Sequence, residues 1–300
     1  MISIAMATYN GAKYLGEQIN SILQQTISDF ELIICDDCST DDTWEILNKY
    51  AKSDKRIKLY KNNENLGFKS NFEKAISLTT QEYVALCDQD DIWENNHLEL
   101  LLKNLGDKNM ACGNSLLVDA HNHSMGMELS YQEALDYVPE DDLKKAYTIF
   151  YFRCPFQGAS MLMKRDFLKI ALPIPKECNY HDVWFSGLSC FCGGFNYLKT
   201  PITRYRQHGT NVSGRRITRR SKIKYWLRHI MRSHYVENRK YIATHILKRV
   251  NNLNTEEKEF LLRVISNGER KKTLIGRLRN SLFELKHYKL IYCCQGRFWY

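Results

Sequence analysis

Three hundred residues, 44% hydrophobic and 26% charged, are an ordinary globular composition, long enough for one or two domains with a sizeable core. The net charge of +9 is unevenly placed: residues 215–300 hold 22 Lys and Arg against six Glu and no Asp, while the first 214 residues hold more acid than base. No apolar run approaches the roughly eighteen residues of a membrane span and no basic leader precedes Ile2, so the expectation is a cytoplasmic protein whose basic C-terminal part seeks anionic surfaces.

The ten cysteines read as buried small hydrophobes rather than a disulfide framework. Cys35 and Cys38 enclose two acids, which raise thiol pKa values, the opposite of a redox pair's electropositive setting.

The first hundred residues alternate strand and helix. Ile2–Ala7 is an apolar strand closed by Thr8-Tyr9-Asn10-Gly11, a turn by composition. Tyr14, Leu15, Ile19, Ile22 and Leu23 recur at helical spacing. Phe30–Cys35 is a second strand, and Ser39 or Thr40 can cap a helix carrying Trp44, Leu47 and Tyr50. Arg56–Tyr60, a loop over residues 62–67 and a helix marked by Phe68, Phe72, Ala75 and Ile76 lead to a fourth strand, Tyr83–Cys87. The alternation predicts an α/β fold: a mostly parallel sheet with helices on both faces and ligands at the C-terminal strand ends.

That fourth strand ends in Asp88-Gln89-Asp90-Asp91, followed by Ile92-Trp93. Clustered carboxylates cost free energy unless a cation or hydrogen-bond donors compensate. They suit Mg²⁺ or Mn²⁺ carrying a substrate's phosphates, and Asp90 or Asp91 could instead cap a helix starting near Glu94. Neither glycine-rich phosphate motif is present, so a bound nucleotide would have its phosphates neutralised by metal.

Thr8-Tyr9-Asn10, Asp36-Asp37-x-Ser39-Thr40-x-Asp42, Asn65-Leu66-Gly67 and Asp88-x-Asp90-Asp91, in this order, resemble the family 2 glycosyltransferases of the GT-A fold. They are most like the rhamnosyltransferase-like bacterial members that build cell-surface polysaccharides. The resemblance covers Ile2 to Gly214, a catalytic domain over residues 1–214, with a basic helical region over 215–300. It implies a UDP- or dTDP-sugar donor, rhamnose among the sugars, and a glycan or lipid-linked glycan acceptor. Thr8, Tyr9 and Asn10 would lie along the nucleoside and Asp37 would accept from a pyrimidine N3–H, a task that suits an acceptor-only group. Asp88 would sit near the ribose and Asp90 would bind Mn²⁺ or Mg²⁺, with Asn65 and Lys69 near the phosphates. Cys38 stands where many relatives have Gly, which puts the local turn in question.

Further along, Met110–Val118 reads as a fifth strand, Asp119–Pro139 as a polar loop and Asp141–Phe150 as a helix. Cys154–Arg165 brings small residues to a strand, and the resemblance places this segment, Gly158 included, beside the acceptor. His181-Asp182 opens an apolar helix whose N-terminus favours an acid, which capping alone would explain. Relatives carry their catalytic base in the equivalent motif, which implies Asp182 as base and His181 and Trp184 near the acceptor. Gly194–Tyr205 is a strand, and the loop after it contains His208, implied as a metal or phosphate contact; Arg206 and Arg215 are further diphosphate candidates.

The last stretch carries apolar stripes flanked by Lys and Arg, at Ile223–Met231 and Tyr241–Val250, with helices expected after Thr255 and Thr273. They suit packing on the enzyme or peripheral attachment to an anionic membrane surface. No nucleic-acid motif is present, so no nucleic-acid partner is expected. The reaction implied is an inverting displacement; the rival readings are a metal-dependent sugar nucleotidyltransferase and a non-catalytic, membrane-recruited nucleotide-sugar binder.

Overall fold

The computed structural model describes residues 1–132, 138–152, 154–209 and 233–270. The chain divides into two compact units. The first comprises Met1–Leu129, Phe156–Pro173 and Phe195–Gly209, and the second Ser130–Pro155, Ile174–Gly194 and the chain from Thr210 onward. The boundary expected after Gly214 lies outside the described residues. Residues 130–155 and 174–194, which sequence alone gives to the catalytic part, group with the C-terminal helices.

The first unit begins with the expected alternation: β1 (Ile2–Thr8), α1 (Ala12–Leu23), β2 (Phe30–Asp36), α2 (Thr43–Ser53), β3 (Ile57–Lys61), α3 (Phe68–Ser77) and β4 (Tyr83–Cys87). These strands run parallel in the order β3-β2-β1-β4. β1 and β2 are buried along their whole lengths, as strands covered on both faces must be. Leu15, Ile19 and Ile22 of α1 close one side of the core that Ile4, Met6, Leu32 and Ile34 build. The parallel register sets Thr8 beside Asp36, so polar strand ends meet along one edge.

Beyond β4 the structure departs from simple alternation. The acids run into β5 (Ile92–Trp93), and α4 (His97–Leu105) starts later than Glu94, with Asn96 in the capping position. No acid of the stretch is an N-cap. β6 (Met110–Val118) is followed by β7 (Ser124–Glu128), which pairs back on it antiparallel, so part of the expected polar loop is a hairpin. In order come α5 (Leu129–Gln132), α6 (Asp142–Tyr147), β8 (Met161–Lys164), α7 (Arg165–Ala171), α8 (His181–Ser189), β9 (Phe195–Arg206), α9 (Ser233–Arg249) and α10 (Thr255–Arg270). The sheet continues from β4 through β8, β6 and β9 to β5. β8 is antiparallel to both its neighbours, while β6 and β9 are parallel. β9 and β5 matter most for the site, because their antiparallel pairing brings residues 203–204 against Ile92-Trp93.

The second unit is built on aromatic packing. The Asp141 side chain caps α6 by accepting the Lys144 N–H at 2.9 Å, and a π-helical turn over Thr148–Phe152 follows. Phe150 meets Phe260 and Phe191 edge-on, ring centroids 5.7 and 6.1 Å apart, and Tyr147 meets Phe260 at 4.7 Å. In α9, Ile242, Ala243 and Ile246 are fully buried, so the stripe there is a core face of its own unit. The stripe at Ile223–Met231 and the helix expected after Thr273 lie outside the described residues. Among those described, no helix is long and apolar enough to cross a membrane.

Candidate functional site

Sequence order dictates where polarity accumulates. β1, β2 and β4 are mainly apolar strands that turn polar at their C-terminal ends, and at β1 and β2 those ends are hydrogen-bonded to each other. The Thr8 hydroxyl donates to Asp36 Oδ1 at 3.1 Å, and the Asp37 N–H donates to the Thr8 carbonyl at 2.9 Å. Ser39 returns to Asp36 through its N–H and its hydroxyl, at 3.0 and 2.5 Å. Thr40 donates its N–H to Asn10 Oδ1 at 2.8 Å, and the Asn10 N–H donates to Ser39 Oγ at 2.9 Å. Neither Ser39 nor Thr40 therefore caps α2, whose N-cap position is Asp42; both bind the loops after β1 and β2 together.

Asp37 is 2% exposed, and its carboxylate accepts from the Asn62 amide at 2.7 Å and from the N–H groups of Leu66 and Gly67 at 2.8 and 2.9 Å. Asn65 joins the same knot by donating to the Asp37 carbonyl at 3.2 Å. Gly67 has φ 78, a left-handed backbone that glycine tolerates without cost, and it opens α3, where Lys69 is half-buried on the first turn. Asp37 thus ties β2 to the loop after β3. Tyr9 is 47% exposed on this edge.

Sequence reasoning passed over Gln89, the middle residue of the acidic stretch. Its side-chain amide pairs with the backbone of Tyr9 in both directions, accepting from the N–H at 2.9 Å and donating to the carbonyl at 3.0 Å. This fixes the β1 turn to the β4 turn. A Cβ on Gly11 would fall 2.2 Å from Gln89 Oε1, so a side chain there would displace the amide from Tyr9.

The acids themselves have three different environments. Asp88 is half-buried directly after β4. Asp90 Oδ2 lies 2.9 Å from His208 Nε2, so two residues expected separately as metal contacts stand side by side across 118 positions of sequence. Their side chains are 21% and 9% exposed. Asp91 is fully buried, accepting from the Arg206 N–H at 3.0 Å and the Gln157 amide at 3.2 Å. Burial pushes its pKa well above the usual carboxylate range; Asp90 and Asp88 add to the rise and Arg206 opposes it.

Behind Asp91 runs a buried polar chain. The Ser115 hydroxyl donates to Gln157 Oε1 at 2.6 Å, and Ser160 lies 3.3 Å from Ser115 and 3.0 Å from Thr203. His97 Nδ1 lies 3.0 Å from the Ile202 carbonyl, and its ring stacks on Trp93 at 3.9 Å. Burial lowers the His97 pKa to about 3, which keeps the imidazole neutral. Gly158 is buried in the 3₁₀ turn beside Gln157, so it supports this chain rather than presenting an open acceptor surface.

Arg206 also departs from expectation. Its side chain is fully buried and held by protein groups, which removes it as a diphosphate ligand in this state. Arg215 lies outside the described residues. His121 and His123 stand near Asp119, whose carboxylate accepts both their N–H groups in an exposed turn.

The second unit holds the proposed base. Asp182 is half-buried in the first turn of α8, and Oδ1 accepts the Val183 N–H at 2.6 Å. Burial raises its pKa to about 6, against the lowering effect of its backbone bonds and of Arg239. His181 is 8% exposed, and burial lowers its pKa to about 4. Trp184 is fully buried, with the Arg249 guanidinium 5.0 Å over its ring. It is a core residue of this unit, and the expectation that it touches the acceptor does not fit that burial.

No group of three or more His, Cys, Asp or Glu side chains among the described residues forms a ready-made metal site. A carboxylate paired with an imidazole, with a second carboxylate two residues away in sequence, is nevertheless a donor set that suits Mn²⁺ or Mg²⁺.

The architecture is that of the GT-A class of α/β folds. A model of Glycosyl transferase family 2 matches residues 3–168, over half of the chain, and the chain belongs to that family. It is 36% identical over 111 residues, 37% of its length, to TuaG of Bacillus subtilis, a glycosyltransferase assigned to teichuronic acid biosynthesis, and spans 44% of that protein. The fold is similar to Staphylococcus aureus TarS in complex with UDP-GlcNAc, with a TM-score of 0.61 and 19% identity, covering 97% of this chain and 78% of that one. It is also similar to a mannosyltransferase of Pyrobaculum calidifontis in complex with GDP-Man and Mn²⁺, with a TM-score of 0.52 and 15% identity, covering 99% and 87%.

Proposed function

We propose that this chain is an inverting, metal-dependent glycosyltransferase. It moves a hexosyl group from a pyrimidine nucleoside diphosphate to a hydroxyl of a growing cell-surface polysaccharide or lipid-linked glycan. The observation that carries the reading is the Asp90–His208 pair at 2.9 Å, at the strand edge where the sheet topology puts a ligand. Asp90 and His208 would hold the cation. When bound, the ion neutralises charge on the nucleoside diphosphate, the leaving group.

The chain's own residues divide the remaining work. Tyr9 and Asn10 line the nucleoside, and the Asp37 knot with Asn65 and Lys69 keeps the adjoining loop in register. Asp182, whose raised pKa of about 6 suits a base near neutral pH, takes the proton from the acceptor hydroxyl as that oxygen attacks the anomeric carbon. The bond from that carbon to the diphosphate oxygen breaks on the opposite face, with inversion. His181, kept neutral by burial, flanks the base.

Two sources bear on the donor. The motif resemblance implies a UDP- or dTDP-sugar with rhamnose among the sugars, while TarS was crystallised with UDP-GlcNAc. The basic residues of 215–300 suit anionic lipid at the inner membrane face, although the described part of this region spends its apolar stripe inside the second unit. The deciding experiment is a panel of UDP-, dTDP- and GDP-sugars screened with Mn²⁺ by thermal shift and hydrolysis. One pyrimidine donor should stabilise the protein only with metal and release a nucleoside diphosphate; conversion of the donor to a nucleoside triphosphate and a sugar 1-phosphate on addition of pyrophosphate would instead make the chain a nucleotidyltransferase.

A further inference from the structure

Asp90 and His208 meet although one follows β4 and the other follows β9, so something must hold those two segments in register. The residue placed to do so is Arg206, two positions before His208. Its Nε donates to the Asp90 carbonyl at 2.8 Å, while its own backbone N–H donates to Asp91 Oδ1 at 3.0 Å. Nη1 donates to the Ala120 carbonyl at 3.1 Å, just beyond β6, and Nη2 to Glu17 Oε2 of α1 at 3.0 Å. The guanidinium carbon lies 4.7 Å from the centre of the Tyr14 ring, and the same ring lies 4.8 Å from the His208 imidazole.

A fully buried arginine is uncommon, and this one spends its planar fork on three separate chain segments. Two of its side-chain acceptors are backbone carbonyls and its carboxylate partner Glu17 is 52% exposed, so the directional fork adds to the positive charge that it sets beside Asp91. One segment is the backbone of Asp90 itself, and the Tyr14 ring lies against both Arg206 and the imidazole that Asp90 faces.

We propose that Arg206 is a positioning residue for the metal-binding pair: it fixes the Asp90 backbone and, through Tyr14 and its own strand, the His208 ring, so that the two donors reach one cation. The inference rests on the proposed function, since it presumes that the pair binds metal. Lysine, a single point charge, cannot reproduce the fork.

The test is Mn²⁺ titration in the presence of UDP, read by loss of the free-ion paramagnetic resonance signal, on the full chain. Arg206→Lys should weaken Mn²⁺ binding by about ten- to a hundred-fold, the range for outer-shell partners of metal ligands. Adding His208→Ala to Arg206→Lys should weaken it little further, because the ring has already lost its placement. Wild-type Mn²⁺ affinity in a folded Arg206→Lys variant, or full additivity of the two changes, would overturn the proposal. Should Arg206→Lys fail to fold, Glu17→Gln removes only the half-exposed anchor and should shift Mn²⁺ affinity several-fold in the same direction; no shift would overturn it equally. If the wild type binds no Mn²⁺ with UDP, dTDP or GDP, it is the proposed function that fails.

Discussion

The two edges of one parallel sheet treat buried acids in opposite ways. At the N-terminal edge, Glu31 at the start of β2 accepts from Ser3 Oγ at 2.6 Å, from the Thr80 N–H and hydroxyl at 2.8 Å each, and from Lys58 at 2.7 Å. Burial alone would raise its pKa, but Lys58, Ser3 and Thr80 outweigh it and hold the group near 2. At the C-terminal edge, Asp91 is more deeply buried, two acids stand beside it, and its pKa lies well above the ordinary range. One edge is compensated within the chain and the other is left electrostatically incomplete. Such incompleteness marks a place where a ligand supplies what the protein withholds.

The contrast breaks most visibly at Asp90. Asp90→Ala should abolish Mn²⁺-dependent nucleotide binding and lower kcat/KM by about a thousand-fold, since it removes an electrostatic group at the developing charge. Glu31→Gln, measured in parallel, should leave kcat/KM unchanged. Equal losses in the two variants would mean that the edges do not differ in purpose.

A second break concerns the acid of the other unit. Asp182→Asn should keep donor binding and lose at least about a hundred-fold in kcat. Wild-type kcat/KM should fall with unit slope below about pH 6, where Asp182 takes up a proton and ceases to be a base. Retained turnover in Asp182→Asn would assign the base elsewhere.

Much of this contrast is legible in sequence, and the illegible remainder has physical reasons. β1 to β4 are written as apolar runs closed by polar turns, so the parallel half of the fold and the acids at its edge can be read directly. The Asp90–His208 pair was reached only as two separate expectations carried by the family resemblance, because sheet order, not local pattern, joins them. Arg206 was misjudged as a ligand because a lone arginine in a polar loop gives no sign that it will be wholly buried. Gln89 and Gln157 carry no signal, since an amide that binds backbone or a neighbouring carboxylate looks like any surface glutamine. Trp184 was misjudged because its aromatic helix face serves a core that includes helices from the far end of the chain.

The compensated edge yields the next effect in size, on stability. The folded-state pKa of Glu31, near 2, lies below its ordinary 4.5, so its ionised form stabilises the fold above pH 4.5, and the contribution fades as pH falls toward 2. A shift of that size corresponds to about 3 kcal/mol, and the half-exposed Lys58 reduces it to about 2 kcal/mol. Glu31→Gln should lose this amount in urea unfolding at pH 7 and almost nothing at pH 2. A pH-independent deficit would make the contribution one of packing rather than charge.

The smallest effect lies at Cys38, on the ligand-facing edge but not part of the expected site. Its φ of 63 puts a side-chain-bearing residue in the left-handed region, at a cost of about 1–2 kcal/mol, and its thiol donates to the Asn62 carbonyl at 3.1 Å. Glycine would remove the strain, lose that weak bond and gain freedom in the unfolded chain worth about 0.5–1 kcal/mol. Cys38→Gly should therefore be more stable by up to about 0.5 kcal/mol, whereas Cys38→Ala, which keeps the strain and loses the bond, should be less stable than wild type. The gap between the two variants measures the backbone term directly, because both lack the thiol. If alanine is instead more stable than glycine by about the 0.5–1 kcal/mol of that unfolded-chain freedom, the turn carries no strain, and the cysteine is held there by its contact with Asn62.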